Sequence, residues 1–217
     1  MLQILVYGDS LTWGIIPNTR RRLPFEERWP IVMEHELQAR GRPVRVIEDC
    51  LNGRRTVWDD PFKPGRSGMV GIEQRIEANS PLALVILMLG SNDFQSMHPH
   101  VAWHASQGIA ALVRAIRRAP VEPGMPVPPI LIVAPPPLKQ ATGAMGERFA
   151  GADAKCEGLA EAYEQVAIEL GCGYVDAGSI VSTSSEDGVH LDADQHATLG
   201  RDLAAVVSTM LAAVQPA

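Results

Sequence analysis

Four short runs of branched apolar residues recur along the chain: Leu2–Gly8 (LQILVYG), residues 44–49 (VRVIED), 83–90 (ALVILMLG) and 129–137 (PILIVAPPP). A weaker fifth lies at 172–178 (CGYVDAG). The third run is continuous rather than alternating, as expected of a strand covered on both faces in a parallel sheet. Between the runs the apolar positions change to helical spacing. Trp29, Met33 and Leu37 fall on one stripe, and Ala105, Ile109, Leu112 and Ile116 on a second. Cys156, Leu159, Tyr163, Val166 and Leu170 form a third, which Gly171 closes as a C-cap. A last helix is expected to start at Asp192 as N-cap, with Gln195 completing a capping box, and to turn Leu199, Leu203, Val206 and Met210 inward. Strand alternating with helix about five times predicts a doubly wound α/β sandwich, whose ligands sit at the C-terminal strand edges.

Loops after the strands are therefore where chemistry is sought. Residues 54–68 (RRTVWDDPFKPGRSG) form a long stretch of that kind after the second run. The proline-rich 120–129 reads as a stiff surface connection inside one unit rather than a domain linker. With no internal repeat and no low-complexity tail, residues 1–217 read as one domain.

Composition narrows the partners. At 217 residues and 46% hydrophobic, the chain can bury roughly 70% of its unfolded surface in one core. A net charge of −6 removes any general attraction to nucleic-acid phosphates or anionic lipid, so neither is expected as a partner. Cys50, Cys156 and Cys172 are odd in number and widely spaced, and read as small hydrophobes in a reducing compartment. No run reaches the ~18 apolar residues of a membrane span, and the first residues carry no basic leader pattern. A cytoplasmic location is the expectation.

The string GDSLTWG places Ser10 at a strand-to-helix turn, where a helix N-terminus favours developing negative charge. From that residue alone two readings stay open, helix cap and nucleophile. A serine hydroxyl needs a base to take its proton, and the base needs a third group to orient it. Asp187 and His190, three residues apart, can supply both on one turn. His196 is a competing base, but its place inside the last expected helix reads as structural. Donors for an oxyanion are offered by the Asn92 side chain beside Gly90 in LGSND and by a Gly53 N–H in LNGRR. Each is ordinary turn chemistry by itself; together they point to acyl transfer.

Residues 8–11 (GDSL), Gly53, residues 90–93 (GSND) and residues 187–190 (DGVH) resemble, in order and spacing, the four blocks of the SGNH or GDSL hydrolase family, over nearly the whole chain. The longer strings GDSLTWG, VILMLGSND, APPPL and DAGS are similar to its small intracellular arylesterases that also transfer acyl groups to alcohols. The resemblance implies a three-layer αβα sandwich with a five-stranded parallel, flavodoxin-like sheet. It also implies Ser10 as nucleophile, His190 as general base, Asp187 as its orienting partner, and an oxyanion hole of the Ser10 N–H, the Gly53 N–H and the Asn92 side chain. Asp9 would support the turn. The activity implied is hydrolysis of short-chain aryl or alkyl esters through an acyl-serine, with no cofactor, a small-molecule ester as partner, and a homo-oligomer that narrows the site. Ile15 stands where the transferase branch carries tryptophan, which weighs against efficient transfer to alcohols more than against hydrolysis.

Trp13, Ile15, Ile16, Trp58, Phe94 and Leu138 are expected to line an apolar acyl and aryl pocket. His98, His100 and His104 crowd together, but no Asp, Glu or Cys completes a ligand set, so no metal is expected. A carbohydrate or xenobiotic acetylesterase is the near alternative. A flavodoxin-like module holding phosphate or FMN through Ser10 and Thr12 belongs to another class, and the Asp9 carboxylate beside that loop disfavours it. Phosphoryl transfer on Asp9 lacks a second acid at Leu11 to hold magnesium.

Overall fold

The computed structural model describes residues 1–213. Five strands, β1 (Leu2–Gly8), β2 (Val44–Cys50), β3 (Leu84–Met88), β4 (Ile130–Ala134) and β5 (Gly173–Asp176), pair in the order β2-β1-β3-β4-β5. Every pairing is parallel, with Leu2 opposite Val44 and Ile4 opposite Leu84. This is the five-stranded flavodoxin-like sheet the resemblance implied. All five apolar runs lie where the strands do.

Successive side chains of a strand point to opposite faces, so each strand feeds two cores. Leu5, Tyr7, Val85, Leu87 and Ile132 pack beneath α3 (Ile72–Asn79), α4 (Ala102–Arg118) and α6 (Leu159–Leu170). Ile4, Val6, Ile86, Leu131 and Val133 pack against α2 (Trp29–Ala39) and α7 (Ala193–Ala213). Being covered on both sides is why β3 has no polar position: all five of its residues are buried. Two single-turn helices, α1 (Ser10–Trp13) and α5 (Ala152–Lys155), complete the set.

The helical stripes at 29–37 and 105–116 are buried as expected, and Gly171 adopts the left-handed C-cap with φ 58°. Four details differ. Helix α3 was not anticipated, because only Ile72 and Ile76 of IEQRIEAN face the core. Cys156 precedes α6 rather than opening it. In α7 the inward row runs Leu199, Leu203, Val207 and Leu211, leaving Val206 and Met210 partly buried at its edge. The expected capping box is also replaced, since Asp192 Oδ1 accepts from the Ser184 hydroxyl at 2.9 Å and Gln195 Oε1 from the Ser182 N–H at 3.1 Å. Those bonds fasten the preceding loop to the helix instead of closing its first turn. Among the described residues no helix is long and apolar enough to cross a membrane.

The chain runs from β1 outward to β2, then returns across β1 to β3. Loops leaving β1 and β3 therefore diverge, opening a crevice at their C-terminal ends.

Candidate active site

Ser10 opens α1 directly after β1 and Asp9. The cap is Asp9, whose Oδ1 accepts from the Leu11 N–H at 2.9 Å. That resolves the choice left open by the sequence: the Ser10 hydroxyl has no capping duty and points into the crevice. His190 Nε2 lies 3.1 Å from Ser10 Oγ, across 180 residues of chain. On the other side of the ring, Nδ1 is 2.7 Å from Asp187 Oδ2. A carboxylate can only accept, so it keeps the proton on Nδ1 and turns the Nε2 lone pair toward Ser10.

The Asp187 carboxylate is itself held. Oδ1 accepts from the Val189 and His190 N–H groups, both at 2.9 Å, and Oδ2 also accepts from the Asn18 N–H at 3.2 Å. Burial alone would raise this carboxyl, but the hydrogen bond and charge of His190, with the two backbone donors, hold it well below the usual range.

Gly53, at φ 83°, and Asn92 line the same crevice as His190, Asn92 in a turn after β3. Among the described residues neither the Ser10 nor the Gly53 N–H finds a protein acceptor. Asn92 Nδ2 donates to Asp9 Oδ2 at 2.8 Å, which leaves its second hydrogen for the crevice. Its Oδ1 accepts from Gln95 Nε2 at 2.7 Å, and Gln95 Oε1 accepts from Arg55 Nη2 at 2.6 Å. Arg55 Nε also donates to the Asn92 carbonyl at 3.1 Å. A guanidinium can only donate, so it dictates which way Gln95 faces, and Gln95 in turn dictates the Asn92 amide. Burial pushes the Asp9 carboxyl up to about 6 and that of Asp93 up to about 7. Asp93 accepts from the Thr56 N–H and hydroxyl, tying the turn after β3 to the 54–68 loop. Gly90 makes room for α6, since a Cβ there would lie 2.3 Å from the Tyr163 hydroxyl.

The crevice is a cleft of about 420 Å³. Ile15 lines it as expected. The other expected pocket residues do not. Phe94 and Leu138 are buried in the core under α4 and α6, because their side chains follow the inward face of the turns that carry them. Trp13 is turned away and covered by the Arg22 guanidinium at 4.7 Å. Ile16 and Trp58 also lie off the lining, Trp58 stacking on His100 at 4.1 Å. Met145 and Phe149, from the segment after β4, provide the apolar wall instead. Arg20, Lys63 and Arg148 stand beside them. Gln95 and Arg55 were likewise missed: nothing in the local pattern distinguishes them from loop polar residues.

His98 stacks on His100 at a centroid separation of 4.8 Å, and His104 lies tilted against His100 at 5.4 Å. Burial holds His100 down to about 4, hence neutral. Among the described residues no group of three or more His, Cys, Asp or Glu is placed to hold a metal ion. His196 is fully buried, its Nδ1 accepting the Trp29 N–H at 3.3 Å at the start of α2, and burial pushes it down to about 3. It serves that helix and, among the described residues, forms no hydrogen bond with Ser10.

Residues 6–198 match the GDSL-like lipase/acylhydrolase family. A carbohydrate acetylesterase family member from Sinorhizobium meliloti is 40% identical, with a TM-score of 0.91 over 98% of this chain and 100% of that one. Est24, a carbohydrate acetylesterase from the same organism, is 32% identical with a TM-score of 0.90, covering 97% of this chain and 100% of its own. The aryl esterase of M. smegmatis has the same identity, TM-score and coverage. No curated protein sequence matches the chain.

Proposed function

The chain belongs to the GDSL-like lipase/acylhydrolase family and is an esterase of the SGNH type; from that premise we propose that Ser10 is its nucleophile and that it removes short acyl groups, acetyl foremost, from small alcohols. The observation that carries this reading is the continuous hydrogen-bonded line from Ser10 Oγ through His190 to Asp187. Ser10 Oγ attacks the ester carbonyl as His190 Nε2 accepts its proton, while Asp187 stabilises the resulting imidazolium. The new oxyanion meets the Ser10 N–H, the Gly53 N–H and the free Asn92 Nδ2 hydrogen. Collapse breaks the bond to the alcohol, which leaves with the proton from His190. Water, deprotonated by the same imidazole, then releases the acid and restores Ser10.

A short acyl group suits the cleft, whose apolar wall is small, made of Ile15, Ala144, Met145 and Phe149. Relatives described as carbohydrate acetylesterases support acetyl as the group removed. Transfer to an alcohol would use the same acyl-serine. The polar lining, Asn18, Asn52 and Arg148 among it, suits water at the site, so hydrolysis is expected to predominate. A panel of p-nitrophenyl esters from acetate to octanoate, run beside an acetylated sugar and with an alcohol acceptor, is expected to rank acetate first and free acid above transfer product. Octanoate as the best substrate would overturn the short-acyl reading.

Within this scheme Gln95 acts through Asn92. Asn92→Ala is expected to lower kcat on the order of 10²–10³-fold, and Gln95→Leu by less, with KM little changed. In the Asn92→Ala background, Gln95→Leu should cost nothing further, because contacting residues with one shared task are not additive. Independent losses that multiply would separate Gln95 from the oxyanion hole.

A further inference from the structure

The chain carries a net charge of −6, yet the cleft beside Ser10 is lined by three cationic side chains, Arg20, Lys63 and Arg148, against one carboxylate, Asp187. That carboxylate is buried and committed to His190 and to three backbone N–H groups. It is not free to neutralise the cations on the rim. Arg148 is met only in part: its Nη2 lies 3.3 Å from Asp60 Oδ2, but the same oxygen stands 3.3 Å from Arg55 Nη2, so one carboxylate serves two guanidiniums. Arg148 Nε has no partner among the described residues. Arg20 and Lys63 form no ion pair among them either.

The excess positive charge borders the reacting centre. A Cβ built on Gly53 would lie 3.6 Å from Arg148 Nη2 and 3.7 Å from Arg66 Cδ, so two arginines flank the glycine assigned to the oxyanion hole. A cleft lined by one sign of charge focuses its field and concentrates ligands of the other sign. Guanidinium groups are suited to carboxylate and phosphate oxygens in particular, through paired N–H donors.

We propose that the cleft selects acetyl esters whose alcohol carries an anionic group, a carboxylate or a phosphate, held by Arg148 with Lys63. The proposal rests on the Ser10 esterase reading and adds the class of alcohol to it. Acetyl has no room for a charge of its own, so the charge sits on the leaving portion.

The test compares 4-acetoxybenzoate with its neutral methyl ester, each enzymatic rate divided by the uncatalysed rate in the same buffer. At low salt kcat/KM is expected to favour the anion by about tenfold, and the preference should shrink as added sodium chloride shortens the screening length. In Arg148→Gln, and separately in Lys63→Met, the ratio between the two esters should fall toward one. Lys63 is exposed on the loop, so its variant decides the matter even if loss of the Arg148–Asp60 pair disturbs folding. Cleavage of both esters with equal kcat/KM, or a preference that persists in both variants, overturns the anionic subsite and leaves the esterase reading standing. No cleavage of either ester overturns both.

Discussion

Ser10→Ala is expected to lower kcat for p-nitrophenyl acetate by on the order of 10⁴–10⁶-fold, the scale seen when a serine nucleophile is removed from such a triad. The protein should stay folded. Among the described residues Ser10 Oγ makes one hydrogen bond, to His190, while the cap of α1 comes from Asp9, so the turn keeps its own support. Losing one hydrogen bond costs roughly 1 kcal/mol, a shift of about 2–4 °C in a chain of this size. Stopped-flow release of p-nitrophenol checks the assignment directly: the native enzyme should show a burst matching the enzyme concentration if deacylation is slow, and the variant none. Turnover at the native rate in the alanine variant would remove Ser10 from the chemistry.

Asp187→Asn should cost on the order of 10⁴-fold in kcat, and the reason is a tautomer. In the native turn Asp187 Oδ1 accepts from the Val189 and His190 N–H groups. An asparagine must keep its carbonyl oxygen at those two donors, which turns its NH₂ toward His190 Nδ1. That nitrogen then has to accept, the ring proton moves to Nε2, and Ser10 faces an N–H in place of a base. The same NH₂ also meets the Asn18 N–H, donor against donor, which should loosen the loop that borders the cleft. The measurement is kcat/KM together with the melting temperature. A loss below tenfold in a well-folded variant would show that Asp187 does not set the state of His190.

Much of the fold was legible because its signals are local. β3 declares itself by five consecutive apolar residues, and α4 by a stripe that needs only its own 17 residues. Helix α3 did not, since two isoleucines among charged neighbours are too few to show a period. The same division runs through the site. Ser10, Gly53, Asn92, Asp187 and His190 stand in short strings whose chemistry is readable residue by residue. The pocket was misread at Phe94, Leu138 and Trp13, since side-chain direction in a loop depends on what packs above it.

Local residue patterns settle the alternation of strands and helices, and with it a parallel sheet whose C-terminal edge must hold the loops carrying GDSL, Gly53 and GSND. It takes the packed molecule to show that Asp9 rather than Ser10 caps α1, that Arg55 aims Asn92 through Gln95, and that Arg20, Lys63 and Arg148 gather around a cleft in an acidic chain. Periodicity is written in neighbours three or four positions apart. The 3.1 Å between Ser10 and His190 spans 180 residues, and it exists because strand order and loop packing bring distant segments to one edge of the sheet.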